Sequence, residues 1–363
     1  MCLTPNGIVR WKLPVEPVPD MEPIGISNII SDRQGQLYYT ISWSGDTIYT
    51  AKICRITHAQ TSHPVQKCIE NYQLFMYIKS PLALNEKYDL LVTAVSDNEM
   101  DSVPATLNKT TLDLLWVNRH FFGAGMDGHY RCDTNMGDMF WIGGDGNLLK
   151  FRHDGQNLIN NYTQSDGFGG DFVLDQQQQI IILSWQNMTR LPWELVVSSY
   201  DVSTKEIKLR WNWYAPPSIA ENDDITTPSV DENGTVYMSS MPLAFAIDSL
   251  GKTVWTCELA TSSEMKTFNL FSYCLTMNSK RRVLYIVSGS PYSQKPPHFL
   301  YFITAVNMDT GKVIKRIDLS LGHDKPITPQ CPILIGDEML YFFWLTGRYP
   351  ELVPFKVTGI DQI

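Results

Sequence analysis

The residues with chemistry to offer are a set of acids in glycine-flanked segments: Glu22, Asp127, Asp166, Asp171, Asp223, Asp224 and Asp324. Two of the segments read Gly123-Ala-Gly125-Met-Asp127-Gly128-His129 and Asp166-Gly-Phe-Gly-Gly170-Asp171. If they converge, carboxylate and carbonyl oxygens make a strongly negative mouth for a hard cation, a basic peptide or a sugar. An Asp in such a turn also caps its own backbone N–H groups, which accounts for the same residues without any ligand. His129 and His323 share segments with Asp127 and Asp324, as polar residues or bases beside the carboxylates. The metal, if any, is undefined.

Other catalytic patterns are missing. None of the seven His makes H-x-x-x-H or H-E-x-x-H, and no Ser stands in G-x-S-x-G. The seven Cys (Cys2, Cys54, Cys68, Cys132, Cys257, Cys274, Cys331) include no C-x-x-C pair and read as small buried hydrophobes. No residue is therefore assigned a catalytic role. Trp43, Trp193, Tyr292 and Tyr349 are candidates for stacking on a sugar or anchoring a partner.

The elements that hold these residues are strands. Asp231-Glu-Asn-Gly234-Thr-Val-Tyr237-Met-Ser-Ser240 runs into Ala246-Ile-Asp248-Ser-Leu-Gly251-Lys-Thr-Val-Trp255, a strand–turn–strand series closing on tryptophan. Weaker copies start at Asp32-Arg-Gln-Gly35, Leu84, Met136, Leu174, Arg282 and Gly336. Aromatics make up 12% of the chain, which favours strands. Seven copies in 363 residues space at about 50, a propeller repeat length. The last copy lacks its fourth strand, and Asn6-Gly7-Ile-Val-Arg-Trp11-Lys-Leu13 has that strand's pattern. The expectation is an all-β, seven-bladed β-propeller of four-stranded antiparallel blades. It forms one domain over 1–363, closed by the N-terminal strand, about 6–13, joining the last blade, so that no edge stays open. The tryptophans ending the outer strands, Trp11, Trp116, Trp211 and Trp255, are expected to wedge between blades.

Ala246-Ile-Asp248-Ser-Leu-Gly251-Lys-Thr-Val-Trp255 and Ala305-Val-Asn-Met-Asp309-Thr-Gly311-Lys-Val-Ile resemble the PQQ-like repeat, Ala-x-Asp-x-x-Thr-Gly-x-x-x-Trp. That is the blade unit of the quinoprotein alcohol dehydrogenase-like propellers, a WD-like repeat architecture. The resemblance implies a blade and not an activity. The family holds dehydrogenases that use calcium and pyrroloquinoline quinone. It also holds non-enzymatic members, such as the outer-membrane protein assembly lipoprotein, that bind other proteins. The dehydrogenases resemble one another in having eight blades and an adjacent cysteine pair beneath the cofactor. This chain has no adjacent pair. The resemblance therefore favours a non-enzymatic member with no cofactor, calcium or the quinone being the alternative.

In such a fold the hairpin turns share one face and are tight here. The other face takes the longer segments 96–108, 185–193, 288–298 and 346–352, where binding residues concentrate. The expected function is a binding or scaffold propeller whose loop-rich face and acidic mouth take a protein, peptide or glycan. The alternative is a quinone- or metal-dependent oxidoreductase with its site at the mouth. A net charge of −9 argues against nucleic acid and anionic membranes. No apolar run approaches the roughly 20 residues of a membrane span. The start Met1-Cys-Leu-Thr-Pro-Asn reads as no signal peptide. A monomer in the cytoplasm is the expectation, or a secreted protein if the N-terminus is incomplete. Sequons at Asn108, Asn161, Asn187 and Asn233 matter in the secreted case.

Overall fold

Long apolar stretches alternate with Asp/Asn/Gly turns, and the chain answers with antiparallel sheets. In a computed structural model the described residues are 2–3, 9–11, 22–26, 29–44, 49–59, 61, 63–70, 82–96, 101–117, 123–124, 129–132, 137–142, 148–154, 158–162, 167–175, 177–187, 194–216, 226–290, 300–318, 327–329, 333–335, 339–346 and 349–356. The chain divides into two compact units, Met1–Gly169 with Asp201–Lys208, and Gly170–Tyr200 with Leu209–Ile363.

In the first unit, β1 (Cys2–Leu3) and β2 (Val9–Trp11) form a two-stranded ribbon with Cys2 opposite Trp11. The next sheet holds β3 (Glu22–Ile26), β4 (Ile30–Ser31), β5 (Leu37–Ser44), β6 (Tyr49–Thr57) and β7 (Val65–Glu70), in the order β3-β5-β6-β7 with β4 also on β5. A meander of β8 (Ala83–Asn85), β9 (Leu90–Ser96), β10 (Asp101–Asn108) and β11 (Leu114–Val117) follows, with β12 (Gly123–Ala124) on β10. The third meander is β13 (His129–Cys132), β14 (Met139–Ile142), β15 (Leu148–Phe151) and β16 (Leu158–Tyr162).

A four-stranded sheet of β17 (Gly167–Asp175), β18 (Ile180–Asn187), β19 (Glu194–Asp201) and β20 (Lys208–Tyr214) leads into the second unit. There, β21 (Ser229–Val230), β22 (Val236–Ser240), β23 (Leu243–Ile247) and β24 (Thr253–Glu258) pair in sequence order. The short helix α1 (Ser262–Phe268) bridges to β25 (Phe271–Asn278), β26 (Val283–Gly289), β27 (Tyr301–Asn307) and β28 (Val313–Asp318), again in order. In the last sheet β29 (Ile327–Pro329), β30 (Ile333–Ile335) and β32 (Tyr349–Lys356) all pair with β31 (Met339–Thr346).

Burial follows strand position. Val236–Ser240 and Val283–Gly289, second in their sheets, are buried at every residue because both faces are covered. The outer strand Thr253–Glu258 buries only Trp255 and Cys257 and shows its other residues to solvent. The outer-strand tryptophans act as wedges. Trp116, Trp211 and Trp255 donate their indole N–H to the carbonyls of His153, Ser249 and Met308 in the last turn of the following sheet. The turn closes tightly on each ring: a Cβ on Gly251 would lie 2.9 Å from Trp211, and one on Gly311 2.7 Å from Trp255.

Several expectations are corrected. Residues 101–108, read as part of a long loop, form β10, paired to β9 along its length with Pro104 opposite Ala94. Residues 349–352 likewise belong to β32, in a tight hairpin with Tyr349 opposite Thr346. Backbone pairing with the neighbouring strand, not side-chain polarity, places both segments in sheets. Cys54 and Cys68, read as free, are directly opposite on β6 and β7 and form a disulfide. Cys257 and Cys274 are buried, as expected. Trp43 is not a surface aromatic; it is 1% exposed, with the Lys52 ammonium over its ring.

Candidate functional site

At the hairpin ends, the turns use up their own acids. In Asp32-x-x-Gly35 the Asp32 carboxylate accepts the N–H groups of Gln34 and Gln36, and the Gly35 N–H donates to the Asp32 carbonyl. Asp231-x-x-Gly234 and Asp248-x-x-Gly251 repeat the pattern, with Asn233 and Thr235, then Leu250 and Lys252, as donors. The glycines sit at φ 75°, 77° and 82°, which side chains disfavour.

Two of these turns add a buried ionic cluster. Tyr38 and Tyr237, six residues after the Asp, donate their hydroxyls to its second oxygen at 3.1 and 3.0 Å. A cation from the following sheet then reaches the same oxygen: Lys109 at 3.4 Å from Asp32 and Arg282 at 3.1 Å from Asp231. A second acid holds each cation, Asp89 for Lys109 at 3.2 Å and Asp309 for Arg282 at 2.8 Å.

The two clusters have opposite polarity. Asp89 and Arg282 occupy matching left-handed positions in the first turn of their sheets, φ 54° and 55°. Their carbonyls accept the N–H of Lys109 and of Met308 in the last turn. The first turn thus supplies the acid in one sheet and the cation in the other. Burial, then the Asp carboxylate, pushes the Tyr38 and Tyr237 hydroxyls well above the usual tyrosine range. The Asp309 hydrogen bond, ahead of that to Asp231, outweighs burial and raises the Arg282 guanidinium further.

Asp171 on β17 is half-buried; its carboxylate accepts the Thr227 hydroxyl and, at 2.7 Å, the Phe172 N–H. Its carbonyl takes the Ser184 hydroxyl at 3.0 Å. Thr226, next to Thr227, exchanges hydrogen bonds with the backbone of Ser239 at the far end of β22 from the Asp231 turn. Ser240 follows, and Ser272 faces Ser288 across β25 and β26. These three hydroxyls are buried and have no hydrogen-bond partner among the described residues. A carboxylate beside short hydroxyls can accept and donate hydrogen bonds to an amide or a sugar; it supplies no nucleophile–base pair.

Of the candidate acids and histidines, Asp171 alone has a described side chain. His129 opens β13 opposite Ile142, and Tyr349 opens β32; both are described as backbone. Asp127, Asp166, Asp223, Asp224, His323, Asp324, Trp193 and Tyr292 lie outside the described residues. Among the described residues no three His, Cys, Asp or Glu side chains group as a cation site. Sequence reasoning passed over the ionic clusters, although Asp-x-x-Gly-x-x-Tyr occurs at both 32–38 and 231–237 and marks the turn together with its hydroxyl partner.

No protein-family model matches the chain, and no curated protein matches it. Solved structures do. BamB from Moraxella catarrhalis aligns over 93% of this chain and 91% of its own, with a TM-score of 0.54 at 11% identity. A europium-containing methanol dehydrogenase aligns over 83% of this chain and 74% of its own, with a TM-score of 0.59 at 9% identity. The fold is that of a β-propeller. At these identities the likeness is one of fold and carries no activity with it. The wedged tryptophans and the Asp-x-x-Gly turns are the propeller's repeating hardware in this chain. No helix among the described residues is long and apolar enough to cross a membrane.

Proposed function

We propose that the chain is a non-catalytic binding or scaffold propeller: one domain of seven four-stranded blades, closed by the strand near Trp11, taking a protein, peptide or glycan at its loop-rich face. The observation that carries this reading is how charge is used. At the hairpin ends the buried acids Asp32 and Asp231 are matched to cations and spent on structure. Asp171, on β17, accepts the Thr227 hydroxyl, and Asp127, His129, Asp166, Asp223, Asp224, His323 and Asp324 are proposed from the sequence to line an acidic mouth with it. The alignment with BamB over nearly its whole length supports the reading. Trp193, Tyr292 and Tyr349 are the proposed anchors of the partner.

A second reading, an oxidoreductase with a metal or quinone at the channel mouth, draws support from the methanol dehydrogenase alignment. Metal analysis and absorption spectra of the purified protein, before and after incubation with calcium and pyrroloquinoline quinone, separate the two. The binding reading expects neither stoichiometric calcium nor a retained quinone band. Retention of either overturns it and makes Asp127, Asp171 and Asp224 the first residues to change. If neither is retained, alanine at Trp193, Tyr292 and Tyr349 together should abolish capture of the partner, and unchanged capture refutes the assigned face.

A further inference from the structure

We infer that Asn233 carries an N-linked glycan and that the chain folds in an oxidising, lumenal compartment. The four N-x-T sites are not equivalent in the structure. The Asn108 carboxamide oxygen is held by the N–H groups of Thr110 and Thr111, both at 2.9 Å, beside the buried Lys109. Asn187 is half-buried at the end of β18, and Asn161 lies mid-strand opposite Leu149. Asn233 is exposed at the tip of the Asp231–Thr235 turn.

Only the backbone N–H of Asn233 is used by that turn, bonded to Asp231 at 2.9 Å; its carboxamide has no hydrogen bond among the described residues. The turn is therefore held by Asp231 and by Gly234, and a bulky substituent at residue 233 projects from it without breaking a sheet bond. Thr235 completes the acceptor site two residues on.

An independent observation points to the same compartment. Cys54 is fully buried and bonded to Cys68 across β6 and β7, closing a 14-residue separation. Such a bond persists where the surroundings are oxidising and is rare where thiols are kept reduced. Those surroundings are also where a lipid-linked oligosaccharide pyrophosphate meets nascent chains. In the transfer, a C–N bond forms between the Asn233 amide nitrogen and the anomeric carbon. The glycosyl–oxygen bond to the pyrophosphate breaks, the lipid pyrophosphate leaves with the electron pair, and the amide proton passes to a base.

The test uses the full-length protein captured from the cells that make it. Release of N-glycans by amidase in 18O water should leave 18O-labelled Asp at position 233. Alkylation without reduction should spare Cys54 and Cys68. N233Q expressed in the same cells should lose one glycan increment in mobility and keep its unfolding midpoint. Recovery of the unmodified Asn233 peptide overturns the glycan assignment, whatever the state of the thiols. Alkylation of both cysteines overturns the compartment.

Discussion

Replacing Arg282 by alanine tests whether the ionic clusters bind neighbouring sheets together or merely decorate their turns. Arg282 donates from Nε and Nη2 to Asp309 at 3.0 and 2.8 Å and from Nη1 to Asp231 at 3.1 Å. Asp309 is 56% exposed, so that pair is screened and contributes at most about 1 kcal/mol. Asp231 is fully buried. Stripping the partner from a buried charge costs about 3–5 kcal/mol in general. Asp231 keeps three other donors, the N–H groups of Asn233 and Thr235 and the Tyr237 hydroxyl, which soften the loss. The expected cost of R282A is therefore about 2–3 kcal/mol, a factor of roughly 30 to 150 in the folding equilibrium. D309A should cost less than about 1 kcal/mol. In R282M/D231N the two changes should fall well short of additive, because the unpaired charge is gone. Urea unfolding at neutral pH, followed by tryptophan emission, reads these differences directly. R282A within about 0.5 kcal/mol of the parent, or D309A as damaging as R282A, would refute the reasoning. K109M, which strips the fully buried Asp32 of its cation in the first unit, should behave like R282A.

Two further outcomes follow from the geometry. Gly311 holds φ 69° with its Cα against the Trp255 ring, so G311A must displace that ring and break its 2.7 Å bond to the Met308 carbonyl. A loss of about 2–4 kcal/mol is expected, with red-shifted tryptophan emission, whereas L250A on the exposed tip of a neighbouring turn should change stability little. Burial pushes the Tyr39 hydroxyl up to about 12. Its folded form keeps a proton that the unfolded chain releases near pH ~10. The stabilisation is thus complete below that pH and lost as pH rises from about 10 to about 12. Urea midpoints across this window should fall less steeply for Y39F than for the parent, and parallel curves would exclude Tyr39 as a source of the loss.

Local chemistry is where sequence and structure agree. Asp32-x-x-Gly35 and Asp231-x-x-Gly234 fold as turns because their donors and acceptors lie within four residues of one another. The buried second strands and half-exposed outer strands follow from their apolar patterns for the same reason. The candidate acids were legible as a class but not as a site, since side-chain convergence depends on how separate segments return to one end of a sheet. Asp171 illustrates this: its hydroxyl partner, Thr227, lies 56 residues away.

By itself, the sequence determined an antiparallel all-β chain, turns built on Asp and Gly, and tryptophan wedges, since each is specified by short-range spacing or by a single residue type. Tertiary structure alone decided which charges pair. Arg282 finds Asp231 51 residues upstream, and the clusters invert polarity between sheets because either turn of the following sheet can deliver the cation to the same buried oxygen. It also joined Cys54 to Cys68 and buried Trp43 under Lys52. Strand register, which sets what faces what across a sheet, is fixed by the packing of whole strands and not by the residues being paired.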